Sequence, residues 1–360
     1  MTDRGPRAIR VVKFGGSTMG AAERIAAAAH RVIEADPRPA AVVVSAPGDL
    51  TDSILAWSSG IGGSSRAEEV ARALSFGEAL GASLLASSLT ALGVPVRLVL
   101  PGDPDWPIVT TGDPMASEID LGLSAPRVAA LFPPGAPLRV LPGFVGRAAA
   151  TGGITTLGRG GSDTTAVALG RLLARRYGSS EVILVKDVPG VLEADPRLVP
   201  EARPLHELTV EEMRTLAVGG AEVVAASALA YMAPSVLLRV LSIGHPLDGS
   251  DGTVIRSSPA GSEATTPGRA AEEPPAPGGP GWGVVTVLPR TPASDRPRDG
   301  PAPETGPAPL RVWVRPEDAG RLLQELHGSG ALRASAYREP PRSARRAAAE
   351  KEGAADEGGP

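Results

Sequence analysis

Short apolar runs alternate with longer helical patterns from the N-terminus to about Ile255. Five runs are rich in β-branched residues and lie next to turn residues, which predicts strands. These runs are IRVVKF, AAVVVSA, VPVRLVL, LRVLPGF and EVILVKDV. Helical patterns lie between them, for example from Ala67 to Leu92 and from Thr164 to Arg176. The alternation predicts an α/β fold with a mainly parallel sheet covered on both faces, and ligands at the carboxyl ends of its strands.

The pattern changes after Ile255. The stretch from Ser257 to Gly281 is a low-complexity linker that is too polar and too rich in Pro and Gly to bury much surface. Two strand-like runs follow, GWGVVTVLP and PLRVWVRP, and the second leads into the helical pattern PEDAGRLLQELH. From about Ala334 the charged, alanine-rich sequence is typical of a disordered tail. We therefore expect four regions: residues 1–256, 257–281, 282–333 and 334–360.

Composition narrows the class of protein. Aromatic residues make up 3% of the chain and hydrophobic residues 42%, so the core must consist mainly of Val, Leu, Ala and Ile. The net charge of −4 gives no reason to expect a nucleic-acid partner. The absence of cysteine excludes disulfides and thiolate metal sites. No apolar run resembles a signal peptide or approaches the roughly 20 residues of a membrane span. These features predict a cytoplasmic enzyme with no membrane partner.

The stretch VVKFGGSTMG places Lys13, Gly15 and Gly16 where a strand gives way to a helix. Glycines there let backbone N–H groups approach an anion, and the helix N-terminus adds positive potential. A lysine adds a full charge, so the stretch suits a phosphate. It is not a Walker A loop, because the order G-x-x-x-x-G-K-[ST] is absent. An ordinary tight turn with a surface lysine explains the stretch equally well.

The stretch TLGRGGSDTTAVALG repeats this arrangement with Gly158, Gly160 and Gly161 before a second helix. Arg159 can hold a carboxylate through two parallel hydrogen bonds. Asp163 falls in the first helical turn, where the helix dipole favours a negative charge. Capping of the helix explains a serine or an aspartate at this point. It does not explain an arginine within a glycine-rich loop.

Five stretches occur in the order in which aspartate kinases carry them. They are KFGGST, VVVSAPGDLTDSIL, SFGEAL, ITTLGRGGSDTTAVAL and KDVPGVLEADPRLVPEARPLHELTVEEMRTLA. On these motifs the chain resembles the aspartate kinases of the amino-acid kinase superfamily, which also holds uridylate and carbamate kinases. The resemblance covers Ile9 to about Ile255. It implies a three-layer αβα sandwich, followed by a small, degenerate ACT-like α+β region.

The resemblance also implies an activity. Aspartate kinases transfer the γ-phosphoryl group of ATP, with Mg²⁺, to the side-chain carboxylate of aspartate. By motif, Lys13 neutralises the transferring phosphoryl group, and Asp163 orients Lys13. The implied substrate-binding residues are Ser45, Glu78, Arg159 and Ser162, with Glu78 holding the substrate ammonium. The implied nucleotide-binding residues are Gly15, Gly16, Ser17, Lys186, Asp187, Leu192 and Arg197. No protein ligand for a metal is implied. Without its motif, Glu78 is equally well explained as a helical glutamate that is exposed to solvent and has no binding role.

Departures from the family pattern bear on ATP binding. Ser17 and Thr18 exchange places relative to the common KFGGTS, and Gly81 replaces a residue with a hydroxyl group. Glu222 stands where the family has a lysine that helps bind nucleotide phosphates, and AAS replaces the following HPR at 225–227. A glutamate facing a triphosphate repels it. Lys186, where the family usually has threonine, is a candidate to compensate.

The region after the linker also departs from the family. Aspartate kinases usually carry two ACT domains, which bind feedback inhibitors and mediate assembly. Here PLRVWVRPEDAGRLLQELHG resembles only the final strand and helix of one such domain. We therefore expect poor feedback inhibition by lysine or threonine, although a homo-oligomer, most simply a dimer, remains the expected assembly.

Three functions stay open on the sequence. The first is phosphorylation of L-aspartate or of a close analogue, in a specialised biosynthetic pathway. The second is a non-catalytic pseudokinase that associates with an active relative. Glu222 favours it, and the retained Lys13, Glu78, Arg159 and Asp163 oppose it. The third is a kinase for another acceptor such as uridylate, against which Glu78 argues because a nucleotide acceptor needs no partner for an ammonium group.

Overall fold

The computed structural model describes residues 8–61, 66–249, 251–257, 283–289, 309–329 and 332–339. In chain order the helices and strands are β1 (Ile9–Phe14), α1 (Gly16–Met19), α2 (Ala22–Glu34), β2 (Ala41–Val44), α3 (Leu50–Gly60), α4 (Ala67–Ala91), β3 (Val96–Leu98), β4 (Val109–Thr110), α5 (Leu121–Leu131), β5 (Leu138–Pro142), β6 (Val145–Ala148), β7 (Ile154–Thr156), α6 (Gly161–Tyr177), β8 (Ser180–Lys186), β9 (Glu207–Thr209), α7 (Val210–Val218), α8 (Ala226–Leu229), β10 (Val236–Ser242), β11 (Thr253–Arg256), β12 (Gly283–Pro289), β13 (Leu310–Val314), α9 (Pro316–Gly328) and β14 (Leu332–Arg338).

The chain divides into two compact units. The first comprises Met1–Val191, His206–Leu208 and Val224–Ser257. The second comprises Leu192–Leu205, Thr209–Val223 and Ser258–Pro360. Among the described residues, no helix is both long and apolar enough to cross a lipid bilayer.

An eight-stranded sheet in the order β3-β5-β2-β1-β8-β10-β11-β9 forms the centre of the first unit. Neighbouring strands from β3 to β10 in this order run parallel, and β11 pairs antiparallel with β10. Strands β1, β2, β5 and β8 are almost continuously apolar and buried. Such runs are expected in a parallel sheet that is covered on both faces. The predicted α/β class with a mainly parallel sheet is confirmed.

Helices cover both faces of this sheet. Phe14 and Val185 belong to a buried cluster with residues of α2 and α4, including Ile25 and Leu85. Successive side chains of a strand point to opposite faces, so Lys13 and Leu184 face the other layer. Helix α6 lies on that second face, so close to β8 that a Cβ on Gly170 would lie 2.3 Å from Val182 Cγ2.

The structure contains elements that the hydrophobic pattern does not single out. Helices α2, α3 and α5 and strands β10 and β11 belong to this group. Strands β4, β6 and β7 form a separate three-stranded sheet. These last strands have two to four residues, which is too short for a periodic signal.

A three-stranded antiparallel sheet, in the order β13-β12-β14, organises the second unit. Its core combines Val285 and Val287 of β12 with Leu323 of α9 and with Val199, which lies between β8 and β9 in the sequence. Helix α7 begins with a capping box in which Thr209 accepts from the Glu212 backbone and the Glu212 side chain accepts from the Thr209 backbone.

The expected boundary between residues 333 and 334 is wrong. Strand β14 crosses it and continues to Arg338. Alternate residues of this strand, Leu332, Ala334 and Ala336, are buried. Alanines supply its inward face, so composition alone does not distinguish it from the alanine-rich sequence that follows. Residues 340–360 of the predicted tail and all but the first residue of the predicted linker lie outside the described residues.

Candidate active site

Two lysines and one aspartate meet at the carboxyl ends of β1 and β8. Lys13 and Lys186 lie on adjacent parallel strands and point to the face that α6 covers. Asp163 lies in the first turn of α6. Its Oδ1 is 2.7 Å from Lys13 Nζ, and its Oδ2 is 2.7 Å from Lys186 Nζ. We call these three side chains the Lys–Asp–Lys cluster.

Burial makes the charges of this cluster interdependent. Burial raises the pKa of Asp163, but the two neighbouring ammonium groups outweigh it and hold that pKa below its usual value. Burial and the nearby charge of Lys13 lower the pKa of Lys186, against the attraction of Asp163. With both lysines protonated, one carboxylate faces two cations, which leaves one positive charge uncompensated within the cluster. Such a buried excess charge attracts an anion.

Glu78 of α4 is a second buried acid. Burial raises its pKa to about 8, although a backbone hydrogen bond from Ala46, the charge of Lys13 and the Ser162 hydroxyl all oppose the shift. Ser162 Oγ lies 3.3 Å from Glu78 Oε2. Near neutral pH the carboxyl group is therefore mostly protonated, and a ligand ammonium placed beside it would favour its ionised form. The alternative of a solvated glutamate is wrong, because Glu78 is 3% exposed.

The glycines after β1 are needed for packing as well as for a turn. A Cβ on Gly16 would lie 2.7 Å from the Gly48 carbonyl oxygen and 2.9 Å from that of Ala46. The loop after β1 therefore packs directly on the loop after β2. The Thr18 hydroxyl donates to the Gly15 carbonyl at 2.7 Å, whereas Ser17 is exposed. The exchange of Ser17 and Thr18 thus leaves a hydroxyl for the loop and another at the surface.

The loop before α6 packs against residues 225–227, where AAS stands in place of the HPR that the resemblance implies. Gly160 has a positive φ of 74°, and a Cβ on it would lie 2.2 Å from the Cβ of Ala225. The hydroxyl of Thr164 lies 2.9 Å from that of Ser227. The segment at 225–227 therefore supports the first turn of α6, the turn that carries Asp163.

The other predicted site residues of the first unit differ in how far they are exposed to solvent. Ser45 is half-buried, and a Cβ on Gly81 would lie 2.3 Å from its carbonyl oxygen, which explains why this chain has glycine there. Arg159 and Asp187 are exposed. No hydrogen bond or ion pair joins Arg159 to another described residue, so its guanidinium is open to a ligand.

Leu192, Arg197 and Glu222 belong to the second unit. Arg197 is exposed and forms an ion pair with Asp195 at 2.7 Å. A hydrogen bond from Arg197 to Asp195 and the charge of Asp195 raise the pKa of the guanidinium, and the charges of Glu222 and Glu339 add to this effect. Glu222 is exposed, so its carboxylate acts on Arg197 from the surface of the unit.

The structure joins residues that the sequence does not pair. Lys186 and Asp163 are 23 positions apart, and Ser162 and Glu78 are 84 apart. The contact between Ser227 and the first turn of α6 also has no signal in the sequence. The sequence AAS at 225–227 indicates only that the HPR of the family pattern is absent. Within the described part of the chain, no group of three or more His, Asp or Glu side chains could hold a metal ion.

Comparison with known proteins agrees with this architecture. Residues 8–241 match the amino acid kinase family. The aspartokinase of Corynebacterium efficiens is 34% identical over 254 residues, which are 70% of this chain and 58% of that protein. The aspartokinase of Geobacillus stearothermophilus is 38% identical over 218 residues, 60% of this chain and 51% of that protein. The chain therefore spans little more than half the length of these relatives.

Solved structures show the same fold. Escherichia coli aspartokinase III in complex with aspartate and ADP superposes with a TM-score of 0.63 at 20% identity, covering 92% of this chain and 85% of that one. The aspartate kinase of Synechocystis gives a TM-score of 0.54 at 29% identity, covering 81% of this chain and 46% of that one. The chain belongs to the amino acid kinase family, and the two curated relatives named above are aspartokinases.

Proposed function

We propose that this protein transfers the γ-phosphoryl group of ATP to the side-chain carboxylate of an amino acid, with L-aspartate as the first acceptor and 4-phospho-L-aspartate as the product. The observation that carries this proposal is the Lys–Asp–Lys cluster with the buried Glu78 carboxyl group nearby. Lys13 acts on both Asp163 and Glu78, so the phosphate-type site and the ammonium-type site are electrostatically connected.

The cluster suits phosphoryl transfer. In this reaction the bond between the γ-phosphorus and the β,γ-bridging oxygen breaks while a carboxylate oxygen bonds to phosphorus, and ADP leaves. The protein contributes mainly positioning and charge stabilisation. Lys13 and Lys186 are held in place by one carboxylate, so they are oriented before a ligand binds. Both oxygens of Asp163 are occupied by lysines, so Mg²⁺ would arrive with the nucleotide as Mg-ATP.

The acceptor side uses groups that recognise an amino acid. We assign the substrate ammonium to Glu78 and a substrate carboxylate to Arg159, with Ser45 and Ser162 nearby. The raised pKa of Glu78 has a consequence for binding. An acceptor ammonium favours the ionised carboxylate, so binding of aspartate near neutral pH releases a proton.

We assign the nucleotide side by motif. Gly15, Gly16 and Ser17 would present backbone groups to the phosphates, together with Lys186. We assign the rest of the nucleotide to Asp187, Leu192 and Arg197 by their motif. The relatives named aspartokinase and the Escherichia coli aspartokinase III structure in complex with aspartate and ADP support a nucleotide ligand for this chain.

A hydroxamate assay tests the proposal, because hydroxylamine traps an acyl phosphate. We expect hydroxamate from ATP and L-aspartate with the wild type, and a loss of about a hundredfold or more with Lys13→Ala or Asp163→Ala. Asp248→Ala, which changes an exposed aspartate outside the cluster, is the matched control and should retain activity. Near-wild-type activity in either cluster variant would contradict the assignment.

A non-catalytic partner is the second candidate, and the exposed Glu222 favours it. It predicts no hydroxamate from aspartate or its analogues and no calorimetric binding of Mg-ATP at millimolar concentration. Hydroxamate from an analogue but not from aspartate would instead retain the kinase and change the acceptor.

A further inference from the structure

A cavity of about 310 Å³ in the first unit is lined by residues of β4, α5, β6 and the turn after β6. Its wall includes the apolar side chains of Trp106, Val109 and Leu123 and the two arginines Arg127 and Arg147. We call it the two-arginine cavity. Small-molecule sites have volumes of roughly 300–1,000 Å³ and combine apolar walls with a few polar groups. The two-arginine cavity has the size and the lining of such a site.

Backbone contacts hold the elements around the cavity together. The Val109 N–H donates to Ser124 Oγ at 3.0 Å, which fastens β4 to α5. Val109 also pairs with Arg147 on the parallel strand β6, and paired residues point to the same face of a sheet. Leu123 and Arg127 are four residues apart on α5, so they lie on one side of that helix. The fold therefore brings one arginine and one apolar side chain to the cavity from each side.

Backbone carbonyl groups hold both guanidinium groups in place. Arg127 Nη1 donates to the Trp106 carbonyl at 3.2 Å and to the Pro104 carbonyl at 3.5 Å. Arg147 Nε donates to the Gly152 carbonyl at 3.1 Å. Gly152 has a positive φ of 67°, and a Cβ on it would lie 3.4 Å from Arg147 Nη2. An arginine has five N–H groups, so each side chain is oriented and still has donors for a ligand.

No acid neutralises these two charges. None of the residues that line the cavity is acidic, and no described Asp or Glu forms an ion pair with either guanidinium group. The acids in the loop before Trp106 have other partners. Asp103 accepts from the Leu100 backbone N–H at 2.8 Å, and Asp105 pairs with Arg97. Two positive charges in one concave site, without a negative charge, attract an anion.

Trp106 contributes apolar surface and a donor without a protein acceptor. Its side chain is fully buried, and no described residue accepts a hydrogen bond from its Nε1. Buried donors are rarely left in this state. Val109 and Leu123 extend the apolar part of the wall. The cavity therefore complements a ligand that has both acceptor oxygens and an apolar group, and it is poorly suited to a cation.

We infer that the two-arginine cavity binds a small molecule in which an oxyanion, either a carboxylate or a phosphate, is joined to an apolar group. Arg127 and Arg147 donate charge-assisted hydrogen bonds to the oxyanion, and the planar guanidinium matches both kinds. The apolar group packs on Trp106, Val109 and Leu123. The cavity shares no lining residue with the candidate active site, so this second site does not rest on the proposed function.

Four probes separate the two parts of this chemistry. Phenyl phosphate and phenylacetate carry an oxyanion and an apolar ring, inorganic phosphate carries only the oxyanion, and benzyl alcohol carries only the ring. Isothermal titration calorimetry on the full chain measures each at one pH and ionic strength. Phenyl phosphate, phenylacetate or both should bind at millimolar concentration or below, and the two partial probes at least about tenfold more weakly. The tighter of the two aromatic anions identifies the oxyanion.

Substitutions locate the bound probe. Arg127→Gln and Arg147→Gln should each weaken binding of the tighter probe about tenfold, because each removes charge-assisted hydrogen bonds. Arg127→Lys keeps the charge and should lose less. Arg38→Gln, at an exposed position before β2, makes the same change of charge outside the cavity and should bind like the wild type. Lys13→Ala should also bind like the wild type, because it changes only the Lys–Asp–Lys cluster.

Four results would overturn the inference. They are no saturable binding of either aromatic anion at millimolar concentration, unchanged binding in both glutamine variants, inorganic phosphate binding as tightly as phenyl phosphate, and loss of binding in Lys13→Ala alone. The third would show that the apolar wall contributes nothing, and the fourth would place the probe in the candidate active site. Arg127 is exposed, so Arg127→Gln decides if circular dichroism shows that Arg147→Gln does not fold.

Discussion

At the scale of single residues, Glu78 has the charge state that depends most strongly on the fold. Its ordinary pKa is 4.5, and burial raises the pKa to about 8. Between these two values the folded state binds a proton here that the unfolded state has released. This residue therefore makes the free energy of unfolding fall as pH rises through that window.

Glu78→Gln should remove this pH dependence. Relative to the wild type, the variant should gain on the order of 3 kcal/mol in the free energy of unfolding as pH rises from about 5 to about 8. Urea unfolding of both proteins at the two pH values measures the change, and all other titrating groups cancel in the difference. If the free energies of unfolding of the two proteins differ by the same amount at both pH values, the Glu78 carboxyl group is ionised in the folded protein.

Lys186 and Glu222 set the balance of charge for a nucleotide. Replacing Lys186 with alanine leaves Asp163 paired with Lys13 alone, which removes the excess positive charge of the cluster. Lys186→Ala should weaken Mg-ATP binding about tenfold to a hundredfold, and Lys186→Arg, which keeps the charge, should lose less. Isothermal titration calorimetry measures both affinities. Equal affinity in the alanine variant and the wild type would exclude Lys186 from the phosphate site.

Glu222→Lys should tighten Mg-ATP binding, because it replaces a repulsive charge with the cation that the resemblance to aspartate kinases implies at this position. The carboxylate of the wild type already acts on Arg197, so the substitution also changes the surroundings of that residue. Calorimetry on the same protein preparation provides the comparison. An unchanged affinity would mean that the Glu222 side chain is directed away from the nucleotide.

At the scale of elements, Gly81 lets α4 approach the end of β2. A Cβ there would lie 2.3 Å from the Ser45 carbonyl oxygen, whereas a Cβ on Gly60 of α3 would meet nothing within 4 Å. Gly81→Ala should therefore lower the free energy of unfolding by about 1–3 kcal/mol. Gly60→Ala is the matched control and should be neutral or slightly stabilising. Thermal melting of both variants tests this, and equal midpoints would contradict the close approach.

At the scale of the whole molecule, the second unit bears on regulation. Its described residues contain one three-stranded sheet with α9 and α7, and the sequence predicts no pair of complete ACT domains. We expect lysine and threonine, alone or together, to inhibit the purified chain poorly. Submillimolar inhibition in the hydroxamate assay would contradict this expectation, as would saturable calorimetric binding of either amino acid.

Local pattern was enough for much of the first unit. The runs around β1, β2, β5 and β8 are apolar and β-branched, and each is a buried strand. The sequence also places Lys13 at a strand end and Asp163 at the start of a helix, because strand ends and helix caps have local signals. Very short strands such as β4 and β7, and the alanine-lined β14, lack such signals.

The sequence by itself therefore determined the family, the mainly parallel sheet and the residue types at the candidate site. Only the tertiary structure decided that Lys186 and Lys13 share Asp163, that Glu78 is buried beside Ser162, and that Gly81 is required by Ser45. The physical reason is the distance along the chain over which each property is determined. Strand and helix propensity depend on neighbouring residues, whereas ion pairing, burial and the resulting pKa depend on groups that the chain brings together from distant positions.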